Sequence, residues 1–327
     1  MAQLVKLKDY ISRYEQNIIL YPSRFVRLKK QKWEGIKKAF EMGQHSPSFL
    51  EEEGLHEEEW LEEKSSFFTK LKGIMQKNKK DDELEAHLEI KKESIEIVEE
   101  DELAFDYKPN YYLTPKNIEE LKVQFLNQLL QFQMKWASST LTEKSVVKKA
   151  FYYDEVLKYY LQRFPDTYLV LYQPVFLLQN APIELDTIII TPTEVWCITL
   201  LEAEESSVFV GSNEKFWTKK RKDKEKKILS PVISINRTEK VIKKIMKMHE
   251  IDFPIKKAIL TRNGYIDYPM APYDLKIIEK RNYEDWFQTM RNNRSPLKAI
   301  QLKTAESLLR HCLTTCMRRY EWDTKEE

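Results

Sequence analysis

Residues 184–201 read ELDTIIITPTEVWCITLL, two runs of β-branched and aromatic residues hinged at Pro192. Runs of this kind form a hairpin-like pair of strands. The rest of the chain must supply layers that cover them. Apolar spacing predicts helices over 114–136 and from Thr142 to Arg163, the first opened by Thr114-Pro115 and the second closed before Pro165. Strands are predicted at 168–177, 184–191 and 194–201, with a short one at 207–210. A basic helix over 234–249, strands at 258–261 and 275–279, a helix at 283–290 and a long C-terminal helix over 297–320 complete the pattern. The order helix, strands, helix, strands, helix implies an α/β class, with a mixed central β-sheet flanked by helices.

Towards the N-terminus, 4–19 and 23–42 have apolar residues at helical spacing, and Tyr21-Pro22-Ser23 is read as the break between them. These give an N-terminal helical segment over 1–45. The composition then changes. Residues 51–106 carry a net charge of about −12, although the whole chain has a formal net of only +2. Residues 46–106 are therefore expected to be an acidic, partly disordered connector, containing an amphipathic stripe of Trp60, Phe67 and Phe68 suited to a protein partner. A helical lead-in over 107–141 follows, then a main domain over 142–292, with 293–327 as a C-terminal helix packed on it.

Several functions lack support. No apolar run approaches the roughly 20 residues that span a bilayer, so no membrane association is expected. Cys197, Cys312 and Cys316 are too few and too irregular for a disulfide framework, and no charged start precedes an apolar stretch, which predicts a cytoplasmic protein. His311, Cys312 and Cys316 do not make the four ligands of a structural zinc site. With six glycines there is no phosphate-cradling loop, and five scattered histidines suggest no nucleophilic triad.

Chemistry concentrates around Asp186. Residues two apart on a strand share a face, so Glu184 accompanies Asp186, and Thr199 and Leu201 accompany each other on the next strand. Glu155 lies on the preceding helix, and Trp217 and the run Ser230-Pro231-Val232-Ile233-Ser234 follow. In order and spacing these pieces, over about 143–290, resemble the nuclease-related domain (NERD) family of the PD-(D/E)XK nuclease-like superfamily. The resemblance implies a restriction-endonuclease-like fold and a helix glutamate at Glu155, a metal-binding aspartate at Asp186, and a Glu-x-Lys strand at 195–201. Here Thr199 and Leu201 stand where that Glu and Lys belong, and Ser234 stands where Gln is usual.

Carboxylates in such a site hold Mg²⁺ or Mn²⁺, while the lysine orients water and offsets charge developing on phosphate. Replacing both groups removes about 3–4 kcal/mol of transition-state stabilisation apiece. The resemblance thus implies a pseudo-nuclease that works by binding DNA, RNA or a protein, with no cofactor. The alternatives are a divergent DNase in which Glu155, Glu184 and Asp186 retain a metal, and a scaffold that binds protein through the acidic region. Candidate nucleic-acid contacts are Trp217, Lys219, Lys220, Arg221, Lys222, Arg237, Lys240 and Lys244, with Phe216 beside them: cations for phosphates and aromatics for unpaired bases. The run KKRKDKEKK at 219–227 is expected to be a charged loop.

Overall fold

The computed structural model describes residues 1–42, 115–179, 181–202, 204–222 and 224–319. The acidic connector and its Trp60/Phe67/Phe68 stripe lie outside these residues, as does Thr114. The chain opens with β1 (Gln3–Leu7), α1 (Arg13–Gln16) and α2 (Leu20–Glu41), followed by α3 (Ile118–Trp136) and β2 (Glu143–Lys144). A 3₁₀ turn (Lys149–Tyr153) leads into α4 (Glu155–Arg163), β3 (Leu169–Tyr172), β4 (Val175–Leu178), β5 (Ala181–Glu184), β6 (Thr187–Ile190) and β7 (Val195–Leu200). Next come β8 (Val208–Val210), β9 (Phe216–Arg221), β10 (Lys224–Leu229) and α5 (Pro231–Met248). The last elements are β11 (Ile255–Leu260), β12 (Tyr265–Asp267), β13 (Leu275–Ile278), α6 (Tyr283–Arg291), α7 (Ala299–Leu309) and β14 (Met317–Arg318).

The chain divides into two units, residues 1–29 with 129–327, and residues 30–128. The first holds a six-stranded mixed sheet in the order β1-β3-β6-β7-β11-β13. The two predicted strands recur as β6 and β7, an antiparallel pair at the centre of the sheet, and β6 is buried along its whole length. Strand β11 runs parallel to β7, and α5 packs on both through Ile235, Val241, Ile242 and Ile245, spaced as one helical face. A second sheet, β10-β9-β8-β12, stands beside it. Within the second unit, Trp33 and Phe125 pack with ring centroids 5.4 Å apart. No helix among the described residues is long and apolar enough to cross a membrane.

Six elements differ from the sequence reading, the first being the helix expected from Thr142, which begins only at Glu155 after β2 and the 3₁₀ turn. Residues 4–19 are not a helix: β1 pairs in parallel with β3, and only Arg13–Gln16 is helical. The strand is buried throughout, so it lacks the alternation that marks a half-exposed strand, and its polar residues have hidden partners. The Gln3 amide donates to the carbonyls of Asp166 and Pro22, and the Lys6 ammonium reaches Glu15 and Thr314. Helix α2 starts earlier than Ser23, because the Asn17 carboxamide accepts from the Ile19 and Leu20 N–H groups. Pro22 sits harmlessly in its first turn.

The strand expected over 168–177 is two strands in different sheets, broken at Gln173, whose φ of 46° turns the chain before Pro174. The C-terminal helix stops at Leu309. Beyond it the chain runs extended, with the Leu177 N–H donating to the His311 carbonyl and the Leu313 N–H to that of Val175. Finally, the charged run at 219–227 is a hairpin and not a loop: β9 and β10 pair from Phe216↔Leu229 to Arg221↔Lys224.

Candidate functional site

The β6–β7 register sets Thr187 opposite Ile198, so Asp186, one residue earlier, comes opposite Thr199. Helix α5 closes over this position. Thr238 Oγ1 donates to Asp186 Oδ2 at 3.0 Å and accepts from the Asp186 N–H at 3.1 Å. One helical turn earlier, Ser234 Oγ lies 3.3 Å from Asp186 Oδ1 and 3.2 Å from the Pro231 carbonyl, so its single proton serves one acceptor at a time. Thr199 Oγ1 faces the carboxylate within electrostatic reach but outside hydrogen-bond geometry, and its hydroxyl is buried without a partner. Burial pushes the Asp186 carboxyl above its ordinary pKa, opposed by the Thr238, Ser234 and Thr199 hydroxyls and by the charge of Arg237.

Sequence reasoning missed the Thr238 contact. The available signal was the spacing of Ser234 and Thr238, four residues apart and hence on one face of a helix.

Asp186 is not joined by the other two candidate carboxylates. Glu184 ends β5 in the small β4–β5 sheet, whereas Thr187 begins β6 in the central sheet. Because the chain changes sheets between them, the shared-face argument for Glu184 and Asp186 does not apply. The Glu184 carboxylate instead holds the Lys8 ammonium at 3.0 and 3.1 Å. Glu155 opens α4 with its side chain 76% exposed, paired to Lys158 at 2.9 Å. Its neighbour Asp154 points inward, capping α4 through the Val156 and Leu157 N–H groups and accepting from the Tyr172 hydroxyl at 2.8 Å. Among the described residues no three Asp, Glu, His or Cys side chains are grouped to share an ion. One carboxylate whose oxygens face hydroxyl donors is a poor match for Mg²⁺ or Mn²⁺, which take near-octahedral sets of oxygen acceptors.

A replacement for the missing lysine is equally hard to find. Leu201 extends the β7 ladder by one bond, its N–H donating to the Leu260 carbonyl at 2.8 Å. Lys257, buried on the neighbouring strand β11, is committed to Glu239 at 2.9 Å, Asp274 at 2.6 Å and Asn236 at 3.0 Å. Beyond the ends of β7 and β11 an open cleft of about 450 Å³ is lined by Glu202, Glu204, Lys219, Arg262 and Asn263. Arg262 pairs with Glu202 and stacks on Tyr159, and Glu204 pairs with Arg221 of β9 at 2.9 Å, while the Lys219 ammonium lies over the Phe209 ring, 6.0 Å from its centroid. Tyr160, buried and felt by Asp186, Glu202 and Arg262, keeps a hydroxyl without a partner.

The cationic residues divide by face. Along α5, Arg237, Lys240 and Lys244 are exposed and spaced three and four apart, so they form one outward stripe. In the β9–β10 hairpin, Lys219 and Lys226 are cross-strand partners, as are Arg221 and Lys224, while Lys220 pairs with Glu225 at 2.8 Å. Lys222 lies at the hairpin's exposed end. Trp217, expected to contact nucleic acid, is instead fully buried: its indole N–H donates to the Ser212 carbonyl and its ring packs 5.0 Å from that of Tyr268. Strand alternation turns Trp217 inward and Phe216 outward. The close approach of Tyr268 depends on Gly211, where a Cβ would lie 2.7 Å from the tyrosine ring.

A mixed sheet of six strands with helices against it, and an aspartate beside the central antiparallel pair, is consistent with a nuclease-like α/β domain. Residues 149–261 match the family model of the nuclease-related domain, NERD. The match begins at the 3₁₀ turn before α4 and ends one residue past β11, so it contains Asp186, Thr199, Ser234 and Thr238. The chain is also similar to an RNA 2',3'-cyclic phosphodiesterase of Geobacillus stearothermophilus, 40% identical over 75 residues, which are 22% of this chain and 23% of that protein. The aligned stretch therefore spans under a quarter of the length of that relative. No solved structure matches the chain significantly.

Proposed function

We propose that this protein is a pseudo-nuclease: a nuclease-related domain that holds nucleic acid without cutting it. The observation that carries this reading is the environment of Asp186. Its carboxylate is met by neutral hydroxyls from Ser234 and Thr238, faces Thr199, and among the described residues belongs to no group of three metal-ligating side chains. With Thr199 and Leu201 at the places of the Glu and Lys, such a centre lacks the side chains that would help activate a water and offset the charge developing on phosphate. The outward cations of α5 and of the β9–β10 hairpin are suited to phosphates, for which affinity needs positive charge but no catalytic geometry.

The test is incubation of the purified chain with DNA and RNA oligonucleotides in Mg²⁺ or Mn²⁺. The expected result is intact substrate, with retention that weakens as salt rises and persists in Asp186→Ala. Metal-dependent cutting that Asp186→Ala abolishes would establish the divergent nuclease instead. Absence of retention at low salt would favour a protein-binding scaffold. The partial likeness to an enzyme named for RNA phosphodiester chemistry supports RNA as the polymer and adds one substrate to the assay, an oligonucleotide ending in a 2',3'-cyclic phosphate. Opening of that ring by this protein would overturn the non-catalytic reading.

A further inference from the structure

The hairpin and the start of α5 meet at Ser230. Because cross-strand partners face the same way, one face of the hairpin begins with Trp217 and Ile228 and continues with Lys219, Lys226, Arg221 and Lys224. Like charges set directly opposite each other destabilise a bare hairpin; Arg221 is offset by Glu204, and the Lys219–Lys226 pair suits an anion laid along it. The other face begins with Phe216 and Leu229, which are 48% and 52% exposed. Ile233, in the first turn of α5, is 45% exposed. The Ser230 N–H, between Leu229 and α5, donates to the Lys215 carbonyl, tying the start of the helix to the base of the hairpin. Lys215 stands over the Phe216 ring, 5.8 Å from its centroid.

From Ile233 the exposed stripe on α5 continues through Arg237, Lys240, Lys244 and Lys247, spaced four, three, four and three residues apart. An aromatic face exposed beside cations, at the head of a cationic row, is wasted on a duplex, whose bases are already stacked. It fits a chain whose bases are free. We infer that the protein binds single-stranded nucleic acid, with an unpaired base stacked on the ledge of Phe216 and Leu229 and the adjoining backbone following the α5 row. This rests on the nucleic-acid reading above and specifies the form of its ligand. Lysines on an edge strand such as β10 also discourage strand addition, but that role leaves the outward aromatic without a purpose.

The experiment uses fluorescence anisotropy of the full chain with a labelled 12-nucleotide single strand, as RNA and as DNA, and with the matching duplex. Phe216→Ala is compared with Phe216→Trp, and circular dichroism checks that each variant is folded. Phe216→Ala is expected to weaken single-strand binding by about 5- to 150-fold, the effect of losing one stacked base. Duplex binding should change less than twofold, and Phe216→Trp should restore the single-strand affinity. A folded Phe216→Ala protein that binds single strands as tightly as the parent, or a parent that prefers the duplex, would overturn the inference while leaving nucleic-acid binding intact. A parent that retains no oligonucleotide at low salt would remove both.

Discussion

The two faces of α5 have opposite chemistry. Inward, Ser234 and Thr238 offer hydroxyls to a single carboxylate; outward, Arg237, Lys240 and Lys244 offer unneutralised charge to solvent. A hydrolytic centre needs opposite charges brought together at one point, whereas a polyanion-binding surface needs like charges spread along a line. Here the cations of the outer face are spread along a line, while on the inner side Asp186 meets hydroxyls and the buried Lys257 is neutralised by Glu239 and Asp274. The same division recurs in the hairpin, where Trp217 is a packing residue and Phe216, one position away, is free to meet a ligand.

The hairpin provides the largest expected effect. Trp217→Ala should cost about 3–5 kcal/mol in urea unfolding, because it empties a buried site against Tyr268. Phe216→Ala should stay within about 0.5 kcal/mol of the parent. Equal losses would erase the distinction between the two aromatics. Next, replacing Arg237, Lys240 and Lys244 together by Ala should lower single-strand affinity about 10²-fold at low salt and reduce the slope of log affinity against log salt by about 2. The thermal midpoint should barely move; a large drop would mean that the outer face is structural.

The smallest effect concerns the inner face. The Asp186 carboxyl titrates above its ordinary value because burial penalises the charge, so the folded protein binds this proton more tightly than the unfolded chain does. Stability associated with it is full below the ordinary value of 3.8 and is lost as pH rises from there through the raised folded value. Asp186→Asn should therefore raise the midpoint slightly at pH 7, with the gap closing as pH falls to 3.8. A lower midpoint for the amide at neutral pH would show that the charge is held favourably, as a working site would hold it.

How much of this was legible beforehand depended on where each residue's partners lay. The runs 184–191 and 194–201 announced strands because they are rich in apolar and β-branched residues on either side of a proline turn, and they recur as β6 and β7. Strand β1 was illegible, since Gln3 and Lys6 find their partners at Asp166 and Thr314, far along the chain. The hairpin was hidden by its own charge, since lysine runs resemble solvated loops. At the candidate site, the substitutions at Thr199 and Leu201 could be read from spacing alone. That Glu184 and Asp186 belong to different sheets could not, because it turns on Leu185, whose N–H bonds to the Pro174 carbonyl and carries the chain out of one ladder before the next begins.

The border strands of the central sheet lie outside the stretch that the nuclease-related family delimits. Trimming the chain to 149–261 would discard both β1 and β13, leaving β3 and β11 with naked hydrogen-bonding rims. Gln301 would go with them, and its amide bridges the carbonyls of Thr167 and Ile190. Such a fragment would polymerise through its open rims, so the smallest unit worth expressing is set by sheet closure and extends well past the homologous segment at each end.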